Sequence, residues 1–344
     1  YRLKDYPNAI KVYSRMARHH SIESVPPSII SRSRVAVGRA YKDSDKIEEV
    51  FSTFSTSLDN EFAASLDALF SHRYDEAKRR FDAATSHVFS DSAQRECWQE
   101  GFKIIASAYC GEIPKFDYEP YENVVPKIVV SGMGWSGSGA LFDYFNEFSE
   151  VVAIGGESPY IEGHRALLSI ARSFKSKNES ESLVECFFYV LLGYAQLKRS
   201  GDAKSFRFAR RIHKGPKGRR YAKFALSFAR KAAHIISEAD ARAKRDKFRD
   251  LANFMTDSLA VGRSLKPGQI ALLDNVIHIP NLQAVEFLDN IKVFCTFRDP
   301  RSNYVALLRE AGHFNDPVQM FVTKRRNKFK RCHQLVDDYS EKYP

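Results

Sequence analysis

Apolar positions recur every three to four residues across 1–112, as in "YPNAIKVYSRM" (6–16) and "YDEAKRRFDAA" (74–84), and this spacing predicts amphipathic helices. The pattern breaks in "CGEIPKFDYEPYENVVP" (110–126). Three prolines and the loss of a helical period there predict a linker over 113–126. Beyond it the period changes. "KIVVSG" (127–132) is a short β-rich run, and "GALFDYFNEF" (139–148) is an amphipathic helix. "VVAIGGE" (151–157), "GQIALLDNV" (268–276) and "IKVFCTFRD" (291–299) read as further strands, and 159–260 as mostly helical. "PRSNYVALLREAG" (300–312) starts another helix, with Pro300 in its first turn. Strands separated by helices predict an α/β domain with a mostly parallel sheet over 127–344.

Within the helical part, Tyr6, Ala9 and Tyr13 correspond to Tyr74, Ala77 and Phe81, an offset of 68 residues. That is twice the roughly 34-residue period of tetratricopeptide repeats. Small alanines suit close helix packing, and the aromatics would fill the groove between helices. Residues 1–112 therefore resemble degenerate tetratricopeptide repeats, which implies a surface for a protein partner. The unit around Ile47 and Phe51 is out of phase, and a plain helical bundle fits the same residues.

The 344 residues suffice for two domains, and no apolar run reaches membrane-spanning length. The start at Tyr1 and the stop at Pro344 read as a piece of a longer chain, truncated at the C-terminus. Cys97, Cys110, Cys186, Cys295 and Cys332 are scattered, without the spacing of a zinc site or a disulfide framework. They suit a reducing, cytoplasmic compartment. The net charge of +11 is concentrated: residues 198–250 hold 18 Lys and Arg against five Asp and Glu, or +13. This helical basic insertion predicts an acidic partner, which includes an anionic glycan, a nucleotide or the surface of a membrane bound peripherally. No nucleic-acid-binding module accompanies the charge, so nucleic acid is not favoured.

The candidate chemistry begins where the first strand meets its helix. Residues 131–139, "SGMGWSGSG", hold four glycines and three serines. In an open α/β sheet ligands bind at the carboxyl ends of strands, and a glycine loop there lets backbone N–H groups approach a phosphate at a helix N-terminus. A Walker A loop needs Lys and then Ser or Thr after its last Gly; Gly137 is followed by Ser138 and Gly139, which excludes it. A dinucleotide fold remains open. Gly132, Gly134 and Gly137 spell GxGxxG, and Glu157 lies 20 residues beyond Gly137, where a ribose-binding acid would sit.

Two stretches together, "SGMGWSGSGALFDYF" and "VFCTFRDPRSNYVALL", resemble the sulfotransferases that use 3′-phosphoadenosine 5′-phosphosulfate (PAPS). The resemblance covers roughly residues 123–320. In that family a first strand–loop–helix of the form G-x-P-(R/K)-S-G-(S/T)-(S/T) holds the 5′-phosphosulfate. A later strand ends in R-(D/N)-P-(R/K), whose leading Arg holds the 3′-phosphate. Ser136, Gly137 and Ser138 match the first core, and Arg298, Asp299, Pro300 and Arg301 match the second motif. The resemblance implies a P-loop-like fold, PAPS as sulfuryl donor with no metal, and a hydroxyl acceptor on a glycan or lipid-linked glycan. The implied donor-site residues are Gly134, Trp135, Ser136, Gly137, Ser138, Gly139, Arg298, Arg301 and Ser302. The implied general base is Glu157, with His278 second and Asp274 third.

Three positions depart from the family pattern. Trp135 stands where the family keeps a Lys or Arg beside the leaving phosphate, Gly134 replaces the Pro, and Ala306 replaces a Ser that Ser302 or Asn303 could stand in for. Arg301, or a cation from the basic segment, could supply the missing charge. Two alternatives follow: a Rossmann-type NAD(P) or nucleotide-sugar enzyme, and a non-catalytic scaffold of sulfotransferase fold.

Overall fold

The computed structural model describes residues 57–132, 137–154, 161, 165–174, 177–192, 217–261, 265–310 and 318–342. They fall into two compact units. One takes the described residues up to 116 together with those between 187 and 233; the other takes 117–186 and everything from 234 onward. Residues 187–192 and 217–233 group with the helices rather than with the sheet.

The first unit is helical. It contains α1 (Ser57–Phe70), α2 (Tyr74–Val88) and α3 (Ser92–Tyr109). Asp91 starts α3 by accepting the Gln94 N–H at 2.9 Å, a capping bond typical of Asp at this position. Ala77 and Phe81 are fully buried, as their spacing predicts. The Phe81 ring stacks on Phe102 at 4.2 Å and meets Phe62 edge-on at 5.4 Å. Gly101 leaves space for the Phe187 ring; an added Cβ would lie 3.3 Å from it. The matching positions Tyr6, Ala9 and Tyr13 lie outside the described residues, as do Ile47 and Phe51.

The second unit is mixed α/β. Four strands lie in one parallel sheet of order β2-β3-β1-β4 among the described residues: β1 (Lys127–Gly132), β2 (Val151–Ile154), β3 (Ile270–Asp274) and β4 (Ile291–Thr296). Central β1 is buried along nearly its whole length, which is why its sequence is a continuous apolar run rather than an alternating one. Edge strand β4 alternates instead, with Lys292 and Phe294 exposed. Helices α4 (Ser138–Asn146), α5 (Leu167–Ser173) and α6 (Glu179–Glu185) follow in the first half. Then come α7 (Lys217–Ser237), whose end enters this unit, and α8 (Ala241–Thr256), capped by Asp240 through the Ala243 N–H at 2.8 Å. A 3₁₀ segment (Ile279–Phe287), α9 (Pro300–Glu310) and α10 (Val318–Lys342) complete it. Among the described residues no helix is long and apolar enough to cross a membrane.

The proline-bearing stretch before β1 has no regular secondary structure over 117–126. It is extended and fastened to α8 and to the π-helical turn that follows it (Asp257–Val261). Tyr118 Oη donates to Asp250 at 2.7 Å, and the Tyr121 N–H donates to the other oxygen of the same carboxylate. Seven residues on, Asp257 accepts the Val125 N–H at 2.9 Å and the Lys127 ammonium at 2.7 Å. The Lys127 and Asp257 side chains are 0% and 3% exposed, so this is an enclosed ion pair. Burial holds the Lys127 pKa below its ordinary value, with the Asp257 charge opposing. Burial and the bond to Asp250 push the Tyr118 phenol up.

Candidate functional site

The carboxyl end of β1 is set between two neighbours. β1 pairs with β4 through Gly132 opposite Thr296, and with β3 through Val130 opposite Asp274. The glycine loop leaving Gly132 and the "FRDPR" turn leaving Thr296 therefore start from adjacent strand ends, about 4.8 Å apart. The two motifs are far apart in sequence, and the sheet pairs the strand ends that lead into them, Gly132 and Thr296.

Gly134, Trp135, Ser136 and Glu157 lie outside the described residues. Gly137 ends the loop at φ +91°, a left-handed conformation that side-chain-bearing residues rarely adopt, so glycine is required there. It also offers α4 no capping side chain. The Ala140 N–H turns back to the Gly137 carbonyl at 3.1 Å, and among the described residues no side chain caps the first-turn N–H groups of Ser138 and Gly139. A Cβ built on Gly137 or Gly139 would meet nothing within 4 Å among the described residues. Ser138 begins the helix and is half-exposed. An open helix N-terminus with its dipole directed outward is the arrangement that binds phosphate.

At the neighbouring strand end Arg298 is exposed. The turn is organised by Asp299, which caps α9: its Oδ1 accepts the Arg301 N–H at 2.8 Å and lies 3.4 Å from the Ser302 N–H. The Arg301 guanidinium forks around the same carboxylate at 3.0 and 2.9 Å. Those bonds from Arg301 pull the Asp299 pKa down to about 2. The Arg301 side chain is 91% exposed, so this is a surface ion pair. Ser302 is exposed, Asn303 is fully buried, and Ala306 is half-exposed.

Two residues that the motifs did not indicate hold the loop's starting point. Asn275 follows β3 at φ +48°, a conformation Asn tolerates better than most residues. Its side-chain oxygen accepts the Gly132 N–H at 3.0 Å, and its backbone N–H donates to Val130 at 2.9 Å. Its amide nitrogen donates to Asp274 at 2.8 Å, so the third candidate base is engaged in orienting Asn275. From the other side the Thr296 hydroxyl donates to the Ser131 carbonyl at 3.3 Å. An Asn directly after a strand is a turn signal, but its bond to a glycine 143 residues away has no local sequence signature. His278 is half-buried at the start of the 3₁₀ segment, on the β3 side, and its carbonyl accepts the Asn281 N–H at 2.7 Å.

The basic segment looks different once folded. Residues 198–216 lie outside the described residues. In the described part Lys244 pairs with Glu179 at 2.8 Å, Lys247 with Glu238 at 2.7 Å, and Arg245 with Glu286 at 3.0 Å. Arg249 lies 4.0 Å from Asp289, and in the helical unit Arg219 pairs with Asp91 at 2.6 Å. These cations are stitched into the fold by acids that mostly lie outside the segment. Among the described residues no group of three or more His, Cys, Asp or Glu is placed to hold a metal ion. No protein-family model matches the chain, and no curated protein or solved structure matches it either.

Proposed function

We propose that the carboxyl end of this sheet binds PAPS and passes its sulfuryl group to a hydroxyl, on a glycan. The observation that carries this reading is the adjacency of the β1 loop and the Arg298 turn, because PAPS is a dense anion with phosphate at two ends. Gly137, Ser138 and Gly139 at the open start of α4 suit the 5′ end. The fork-shaped Arg298 guanidinium suits the 3′-phosphate. Asn275 and Thr296 act as positioning residues, since they fix where the loop leaves β1. In the transfer a bond forms between the acceptor oxygen and sulfur, and the bond from sulfur to the 5′-phosphate oxygen breaks. Glu157 or His278 takes the acceptor's proton.

Strand order counts against the dinucleotide alternative. In that fold the acid-bearing second strand lies directly beside β1. Here β3 separates them, so an acid following β2 starts roughly 10 Å from β1 rather than next to it. A second reading, a donor-binding scaffold without turnover, is favoured by one specific observation. In the sequence Trp135 stands where the family pattern has a cation, while Arg301, Lys244, Arg245 and Lys247 are each paired to a carboxylate. A missing leaving-group cation costs about 3 kcal/mol of transition-state stabilisation.

Titration with adenosine 3′,5′-bisphosphate and with NAD separates the classes. The proposal expects the bisphosphate to bind and NAD not to; binding of NAD alone would reject it. Sulfate transfer to a glycan mixture then distinguishes enzyme from scaffold. Glu157→Gln should abolish turnover while sparing bisphosphate binding, and full residual activity would transfer the base to His278.

A further inference from the structure

Beside the Arg298 turn, an open groove of about 690 Å³ runs along α10, and Pro300, the first residue of α9, forms part of its wall. Its chemistry is graded along the helix. Arg326 and Lys330, one turn apart, line one end; Asp337 and Asp338 line the other. Lys330 and Asp337 are about 10 Å apart along the axis at 1.5 Å per residue. All four are exposed. His333 lies between them, and Phe329 lies within the cationic end. His333 stacks on Phe297 at 4.0 Å, and Phe329 lies 6.5 Å from His333.

We propose that this groove is a subsite for an anionic saccharide, the acceptor of the sulfotransferase reading on which its role rests. Each part of the groove has a counterpart in that ligand class. A carboxylate or sulfate group pairs with Arg326 and Lys330. The C–H face of a pyranose covers the Phe329 and His333 rings. Sugar hydroxyls, about 10 Å further on, donate to Asp337 and Asp338, which as carboxylates only accept. The span matches a disaccharide or slightly more. Pro300 lies two residues beyond Arg298, so a saccharide in the groove is held next to the strand ends that carry the donor site.

The test is calorimetric titration of the whole chain with a chondroitin sulfate tetrasaccharide, beside its desulfated, carboxyl-reduced neutral form. Bisphosphate is titrated separately into every variant. The proposal expects the anionic form to bind and the neutral form to bind at least about tenfold more weakly. R326A/K330A should weaken the anionic form about tenfold or more, whereas K328A/R331A, off the groove wall, should change it less than about twofold. D337A/D338A should also weaken it by roughly three- to tenfold. A surface that merely attracts anions would bind more tightly once those carboxylates are gone, so tighter binding overturns the proposal. So do equal losses in the two cation pairs, no loss in R326A/K330A, or no saccharide binding. If the saccharide pattern holds but bisphosphate does not bind, the groove stands and the sulfotransferase reading falls.

Discussion

At its amino end β1 begins in an enclosed ion pair, whereas beyond its carboxyl end, at Gly137 and Gly139, an added Cβ would meet nothing within 4 Å among the described residues. Lys127 is held by Asp257 and by the Val125 carbonyl at 2.6 Å, all under the extended strap of 117–126. Five residues later Gly132 is held by one side-chain oxygen, that of Asn275, and by Gly137 the chain is uncapped. One end of the strand supplies rigidity, and the other leads to a helix start that no side chain caps among the described residues. Stability and binding should therefore separate along this one strand.

The largest effect should come from the closed end. Asp257→Ala leaves a buried ammonium without its counter-charge and should cost about 3–5 kcal/mol of stability. Urea unfolding followed by the sheet signal measures this; a loss under about 1 kcal/mol would mean that water reaches Lys127 and the end is not closed. At the junction, Asn275→Ala loses both the bond to Gly132 and the tolerance of a left-handed backbone, about 2 kcal/mol in all. Asn275→Gly keeps the conformation and should cost about 1 kcal/mol less than that. Equal losses for the two would show that backbone conformation is not at issue. The smallest stability effect belongs to the open end. Gly139→Ala should be neutral or stabilising by about 0.5–1 kcal/mol, since alanine favours the helix and meets no neighbour. It should nevertheless weaken bisphosphate binding by covering a first-turn amide. Unchanged binding would remove α4 from the site.

The sequence shows one half of this contrast more clearly than the other. "KIVVSG" reads as a buried strand because its apolar run is continuous and bounded by Pro126 and the glycines, and the structure places β1 over those same residues. Gly137 reads as a special backbone position for the same local reason. What local pattern cannot carry is adjacency. Thr296, two residues before Arg298, becomes a neighbour of Gly132 only through the order β2-β3-β1-β4. Asn275, Thr296 and Asp257 act through partners 143, 165 and 130 residues away. The strap reads as a linker because its prolines and acids suppress any period, while its attachment rests on Tyr118, Tyr121 and Val125 at irregular spacing. The basic segment reads as an open cationic face because a count along the chain does not include Glu179 or Glu286, which pair with Lys244 and Arg245 in the fold.

The central claim is that two distant motifs form one anion site. The direct measurement is the affinity of adenosine 3′,5′-bisphosphate for the unaltered chain and for Arg298→Ala. The account predicts binding that weakens by about 2 kcal/mol, roughly thirtyfold, on loss of a charge-assisted bond to phosphate, with unfolding unchanged. Equal affinity in the two proteins, or no binding in either, would contradict it.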